Sequence, residues 1–437
     1  MAWHVVIVGG GFGGFYAARR LERVRPHQSA RVTLVTDVNY LLYTPLLPGA
    51  AAGTLEPRHV VIPLREELSR TEVMLGRLTA ADASRSTIRV ASADGRNEEI
   101  AYDQLVLALG SEPRAAPVPG LSEHALGFRT LLEAVALRNR AVLNLEIAES
   151  LEDPHTRRPY LTFVFVGAGY AGVEGIAELQ DYIADVIHRY PRSRLDGTRW
   201  ILVELEERIM PEISPSLAEF GARELRARGI EVRTGTGLES IDSERAVLSD
   251  GESIPTRTLC WTAGVRPPPL TRELGLPVDH GGRFVVDATM AVDGHPGIWA
   301  IGDCAAVPDP AKGGKAPSPP TAQHAVRQGR LVADNVAASI GHGRVRKFRY
   351  RTKGVFVDMG RHKAVAQVMG IKLRGFPAWW TARTYHLAMM PGTVRRIRLV
   401  ADWTVGLFFG RASAELGQLG HPEPLSGSDP AGPPSQH

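Results

Sequence analysis

Two glycine clusters carry the most specific chemistry in this sequence. Gly9, Gly11 and Gly14 are spaced G-x-G-x-x-G directly after the apolar run WHVVIV. Gly167, Gly169 and Gly172 repeat that spacing after LTFVFV, with Glu174 two residues beyond. Between a strand and a helix, this spacing serves a pyrophosphate. The first glycine makes the tight turn, the second lets phosphate approach the backbone, and the third packs the helix on the strand. The helix that follows offers unpaired N–H groups and a partial positive charge. One such cluster is a weak signal. Two of them, each between an apolar strand and a helical segment, predict two dinucleotide sites.

Four carboxylates stand where a nucleotide would meet them. Glu204 ends the strand WILVE, where it can accept from both ribose hydroxyls and repel a 2′-phosphate; Glu206 and Glu207 deepen that negative field, so NADH is expected over NADPH. The alternative is a strand-end glutamate facing water. In the first unit the corresponding strand ends Val35-Thr36-Asp37, which puts Thr36 at the expected acid position and Asp37 one residue late. Asp37 is either a ribose ligand or a solvated loop aspartate. Gly302-Asp303 closes another buried strand, and Asp303 can accept from a polyol such as ribitol or cap the helix beyond. Glu174 either complements its helix dipole or places a polar group beside a nicotinamide–flavin stack. Cys260 and Cys304 are the only cysteines and form no CxxC, which excludes a disulfide framework and a thioredoxin-type dithiol. Cys304 reads as a small buried residue, and no metal site is expected.

The elements that must position these groups follow from the pattern. With 437 residues, 44% hydrophobic and 22% charged, the chain exceeds one core and reads as an ordinary globular protein of several domains. The fold class expected is α/β, with two Rossmann-like dinucleotide-binding domains, the NADH domain inserted in a discontinuous FAD domain. The expected bounds are 1–115 and 266–340 for the FAD unit and 116–265 for the NADH unit. A C-terminal membrane-surface region spans 341–412, and 413–437 is expected to be a disordered tail. No leader peptide is read at MAWHVVIVGG, and no run of about 18 apolar residues occurs. From Gly341 to Arg411 there are 15 Lys and Arg against two acids, Asp358 and Asp402. These charges interleave with GFPAWWTARTYHLAMM and LVADWTVGLFFG. Short aromatic stretches beside arginines fit interfacial helices on an anionic membrane surface; the same aromatics would also cover a homodimer interface. No nucleic-acid partner is expected.

The order GGGFGG, NYLLYTPLLPGAAAGTLEP, LALGS, GAGYAGVEGIAEL, LVE, TAGV, AIGDCA, TAQHA, YRTKG and GFPAWW resembles the type II, non-proton-pumping NADH:quinone oxidoreductases over residues 4–412. The resemblance implies a tightly bound FAD, NADH as substrate, and a membrane quinone as electron acceptor. It also implies a peripheral enzyme, expected on the cytoplasmic face of a bacterial inner membrane. Gly9, Gly11, Gly14, Thr44, Pro45, Gly110 and Asp303 match FAD-site positions. Gly167, Gly169, Gly172, Glu174, Glu204 and Gly264 match NADH-site positions. Ala322 and Gln323 match the quinone-site segment, and Lys353 a lysine near the flavin, so Glu174, Lys353 and Gln323 are the catalytic candidates. Two departures stand out: Thr36 replaces the ribose acid many members carry, and His324 follows Gln323 where members vary. Two other readings share the fingerprints. One is a soluble NADH-dependent reductase of a small redox protein, the other a membrane-tethered NAD(H)-sensing flavoprotein with little turnover. A sulfide:quinone oxidoreductase would need a pair of cysteines flanking the flavin.

Overall fold

Val5, Val6 and Ile7 are fully buried, and a strand apolar on both faces must be covered on both, as in a parallel sheet clad by helices. The computed structural model describes residues 3–24, 30–114, 116–314, 316–352 and 354–417. These residues form β1 (Trp3–Val8), which turns at Gly9 into helix α1 (Phe12–Leu21). The chain returns as β2 (Ala30–Thr36), parallel to β1 with Val8 beside Val35. β3 (Glu72–Asp82) pairs with β2 and leads into an antiparallel meander through Thr87–Ser92 and Asn97–Ala101. β4 (Gln104–Leu107) then takes the other edge of β1.

The chain now leaves this sheet and builds a second one. β5 (Thr162–Val166), helix α2 (Tyr170–Val186) and β6 (Arg199–Val203) repeat the strand–Gly–helix–strand unit. β7 (Ile230–Arg233) and β8 (Thr258–Trp261) flank it, with Ala125–Gly127 on the outer edge of β8; all five pair in parallel. The chain then re-enters the first sheet as β9 (Ile298–Ala300), beside β4. The first sheet therefore runs β9-β4-β1-β2-β3 and on through the meander.

Helix α3 (Ala322–Ser339) lies directly on α1. A Cβ at Gly329 would fall 2.2 Å from the Gly13 carbonyl oxygen, so the two backbones touch and only glycine fits. The beginning of α3 is thereby fixed relative to the first fingerprint.

Beyond α3 come three antiparallel strands, β10 (Gly354–Asp358), β11 (Ala364–Val368) and β12 (Ile371–Gly375), then helices α4 (Phe376–Met389) and α5 (Thr393–Phe408). Val357, Met359 and Val365 share a core with Val173, Ile176 and Ala177 of α2, so this unit is packed onto the second sheet's fingerprint helix. Buried Arg395 pairs with Glu66 and Glu67, and Asp402 accepts from the Glu56 N–H and bonds His59 Nδ1 at 2.6 Å, which ties α5 to the first unit as well. No helix among the described residues is long and apolar enough to cross a membrane. Within the segment expected as a tail, the Leu416 N–H reaches Asn139 Oδ1 at 3.4 Å; residues 418–437 lie outside the described ones.

Candidate functional site

The two fingerprints have one geometry. Gly9 and Gly167 take φ of +108° and +101°, and a Cβ there would meet Ala108 O at 2.2 Å or Ala263 Cα at 2.7 Å. Gly14 and Gly172 would push a Cβ to within 1.9 and 1.8 Å of the carbonyl oxygens of Gly9 and Gly167. Gly11 and Gly169, by contrast, open onto free space within 4 Å, and each caps its helix without a side chain. The first N–H groups of α1 and α2 are therefore left for an outside acceptor. Both cradles fit a dinucleotide pyrophosphate.

Around the first cradle, Thr36 is buried, packs against Gly10 and donates to the Val38 carbonyl at 3.1 Å, while Asp37 is exposed one residue on. Thr44 and Pro45 open a short helical turn, with Thr44 exposed. Gly110 follows β4 and Gly302 follows β9 on the neighbouring strand. The Gly302 N–H is held by buried Gln328 Oε1 at 2.8 Å. Asp303 Oδ2 accepts from Ser111 Oγ at 2.6 Å, and Arg129 donates to the same hydroxyl at 2.8 Å while standing 3.9 Å from the carboxylate. Ser111, Arg129 and Gln328 went unnoticed in the sequence. Only Ser111 had a signal, as the residue after Gly110.

At the second cradle, Glu204 comes from β6 to the middle of the fingerprint. Its Oε2 accepts from the Ala168 N–H at 2.6 Å and its Oε1 from the Glu206 N–H at 3.1 Å, with Glu206 and Glu207 exposed. Gly264 faces Arg114, whose N–H donates to the Gly264 carbonyl at 3.2 Å. Glu174, in the first turn of α2, accepts from the Asp358 N–H of β10 at 3.0 Å. Desolvation, then the nearby Asp358 and Glu178 charges, pushes its carboxyl well above the usual carboxylate range, despite that one favourable N–H.

The C-terminal unit meets the first unit at Gln323. Thr321 caps α3, with Ala322 as its first helical residue, and Thr321 Oγ1 also bonds His324 Nδ1 at 2.7 Å. His324 is buried, its imidazole pushed down by desolvation, and its ring packs edge-on to Tyr350. That residue is a structural pin. Gln323 Nε2 donates to the Gly354 carbonyl at 2.8 Å and its Oε1 accepts from Tyr350 O–H at 2.8 Å. An amide nitrogen carries two hydrogens, so one N–H of Gln323 is left beyond the Gly354 bond. Lys353, next to Gly354, lies outside the described residues.

A cluster that sequence reasoning missed gathers around Phe356 of β10. Tyr43, the residue before Thr44, hydrogen bonds His386 of α4 at 3.3 Å and packs edge-on to Phe12 of the first fingerprint. Phe356 and Tyr385 complete the ring contacts around His386. Both cysteines are fully buried. Desolvation pushes the Cys304 thiol up to about 12 and Cys260 higher, so neither supplies a thiolate.

The model for pyridine nucleotide-disulphide oxidoreductases matches residues 3–329. The chain belongs to this family. Within it, the resemblance to type II NADH:quinone oxidoreductases is borne out. The type II NADH:quinone oxidoreductase Ndh of Mycobacterium tuberculosis is 29% identical, covering 95% of this chain and 89% of its own. The demethylphylloquinone reductase NdbB of Synechocystis sp. is 30% identical, covering 91% and 95%. The structure of NDH2 from Plasmodium falciparum in complex with NADH superposes with a TM-score of 0.88 at 19% identity, over 95% of this chain and all of that one, which shows the expected fold. The family name refers to a disulphide chemistry for which this member, with two buried thiols, has no dithiol.

Proposed function

We propose that this protein oxidises NADH through FAD and passes two electrons to a membrane quinone without pumping protons. Bound FAD supplies a group that accepts hydride from a nicotinamide and gives electrons onward. Residues 1–115 and 266–340 would hold it: Gly9, Gly11 and Gly14 would take the pyrophosphate, Thr44, Pro45, Gly110 and Gly302 would line the site, and Asp303, oriented by Ser111 and Arg129, would accept from the ribitol. The buried Thr36 hydroxyl already bonds Val38, which leaves exposed Asp37 as the ribose contact. Residues 116–265 would take NADH, with Gly167, Gly169 and Gly172 at its pyrophosphate, Glu204 on the ribose hydroxyls and Gly264 lining the same site.

The observation that carries the quinone half is the position of β10. One end of this strand meets Gln323 and the other meets Glu174, so the C-terminal unit closes on the flavin side and the nicotinamide side at once. Gln323 has an N–H free to hold a quinone carbonyl, and Ala322 starts the helix that presents it. By resemblance, Lys353 balances negative charge developing on the quinol oxygen. Glu174 holds a proton more readily than an ordinary carboxyl and sits at the nicotinamide end, where it positions the ring or passes a proton.

The outer surface of the same unit supports a peripheral membrane location. Trp380, Ile397, Phe408 and Phe409 are each more than 60% exposed. Not every aromatic of the segment faces outward: Trp379 is buried and, with Trp403, sandwiches the Arg383 guanidinium at 4.4 and 4.8 Å. The exposed set flanked by Arg396 and Arg398 suits an anionic membrane surface, on the cytoplasmic face of a bacterial inner membrane, where NADH is supplied. NADH oxidation by the purified holoenzyme should depend on an added quinone analogue, and a rate indifferent to every quinone would refute this reading.

A further inference from the structure

Tyr43 and His386 are 343 residues apart in sequence and meet where the two halves of the proposed site join. Tyr43 belongs to the flavin side. It precedes Thr44 and Pro45, its N–H is fixed by the Val60 carbonyl at 2.9 Å, and its ring packs on Phe12 at 5.8 Å. His386 belongs to α4. Its ring contacts Phe356, two residues after the Gly354 carbonyl that holds Gln323, and Tyr385, which stacks on Phe356 at 5.0 Å between centroids. Phe356, Tyr385 and Tyr43 thus form an aromatic wall with one imidazole set in it.

The protonation of this pair follows from its surroundings. Burial pushes His386 down to about 4 and pushes the Tyr43 phenol up, so both are neutral at neutral pH. A neutral imidazole carries one N–H, and the other nitrogen must accept. Of the two neutral tautomers, the one in which the Tyr43 phenol donates to Nδ1 carries its ring hydrogen on Nε2.

We infer that Tyr43 fixes His386 as an Nε2–H donor that seats one carbonyl of the quinone against the Phe356–Tyr385 wall. This rests on the quinone reading above and adds a second anchor to it. Gln323 on α3 would hold one carbonyl and His386 on α4 the other, each on an element that touches β10, at Gly354 and at Phe356. A para-quinone has carbonyls at opposite ends of its ring, and two donors on separate elements suit that shape. His386 is then a positioning residue toward the substrate and Tyr43 a positioning residue acting through it.

The test is an equilibrium titration of the holoenzyme with a short-chain ubiquinone analogue, NADH absent, followed by quenching of intrinsic fluorescence. The ratio of quinone to ferricyanide turnover is measured alongside, because ferricyanide needs no hydrogen-bonded seat. His386→Phe, which keeps an aromatic ring, should raise the quinone Kd about tenfold and lower that ratio to match, the size expected for one lost buried hydrogen bond. Tyr43→Phe removes a single oxygen and should raise Kd about threefold by freeing the tautomer. His386→Gln retains an N–H donor and should recover most of the affinity lost in His386→Phe. Equal quinone affinity in the native protein and both phenylalanine variants would overturn this assignment and leave the quinone reading standing. A native protein that is reduced by NADH yet binds no quinone analogue would overturn both.

Discussion

Glu204 Oε2 accepts the Ala168 N–H at 2.6 Å, which sets a carboxylate against the middle of the second fingerprint. Its other oxygen is held by the Glu206 N–H, so the side chain is fixed rather than swinging in solvent. A 2′-phosphate brought to this ribose position would meet three carboxylates, counting Glu206 and Glu207. Glu204→Gln should narrow the NADH-over-NADPH preference in kcat/KM by about 1–3 kcal/mol, the range for a lost charged partner. Equal use of both coenzymes by the native protein would remove Glu204 from this role.

Gln323 meets β10 at Gly354, the opposite end of the strand from the Asp358 N–H that Glu174 accepts. Gln323→Ala should therefore leave flavin reduction by NADH nearly unchanged in stopped-flow absorbance while slowing reoxidation by quinone about tenfold or more. The variant also strands the Tyr350 hydroxyl and the Gly354 carbonyl. Tyr350→Phe separates that effect, since it frees Gln323 Oε1 without removing its N–H groups. A slowed reductive step with normal reoxidation would place Gln323 with the nicotinamide.

Glu178, one turn beyond Glu174 on α2, gives the protein a pH signature. It is only 5% exposed, and burial, with the Asp358 charge next in size, pushes its carboxyl up to about 8. An acid raised in the folded state favours folding most below its unfolded pKa of 4.5, and that contribution is lost as pH rises through about 8. Stability conferred at this site should thus fall by a few kcal/mol between about pH 5 and pH 8.5. Glu178→Gln should flatten that slope in a series of thermal melts. An identical slope in the variant would show that Glu178 ionises freely in the folded protein.

Membrane binding should combine two terms that salt separates. Lys and Arg side chains near an anionic surface contribute about 1 kcal/mol each, within a Debye length. Apolar burial of Trp380, Phe408 and Phe409 is not screened. Sedimentation with phosphatidylglycerol-containing liposomes should weaken at high salt without vanishing. Phe408→Ser with Phe409→Ser should reduce the salt-resistant fraction. Full-length protein that ignores liposomes of every charge would make the aromatic face an interface between copies of this chain.

What the sequence made legible was local. A strand–glycine–helix unit is written within about thirty residues, so both fingerprints, the strand carrying Glu204 and the helix starting at Ala322 could be read directly. Asp303 could be placed but not its partners, because Ser111 and Arg129 come from a loop and a helix start nearly two hundred residues earlier. The Tyr43–His386 contact was out of reach for the same reason. No spacing rule links residues brought together by an inserted domain and a C-terminal unit folding back over both. Amphipathic reasoning also misjudged Trp379. A tryptophan beside arginines looked interfacial, yet in the fold it turns inward, packing with Ala364, Ala366 and Ala378 and covering Arg383.

Electrons should leave NADH through the bound cofactor for a quinone, and an acceptor panel reads that route. The holoenzyme is reduced anaerobically with one equivalent of NADH, then mixed with ubiquinone and menaquinone analogues, a small iron–sulfur protein and buffer, and flavin absorbance near 450 nm is followed. The holoprotein should be yellow, bleach with NADH, and recover its absorbance rapidly with at least one quinone but not with the iron–sulfur protein. Rapid recovery with the iron–sulfur protein alone, or no recovery with any quinone, would contradict it.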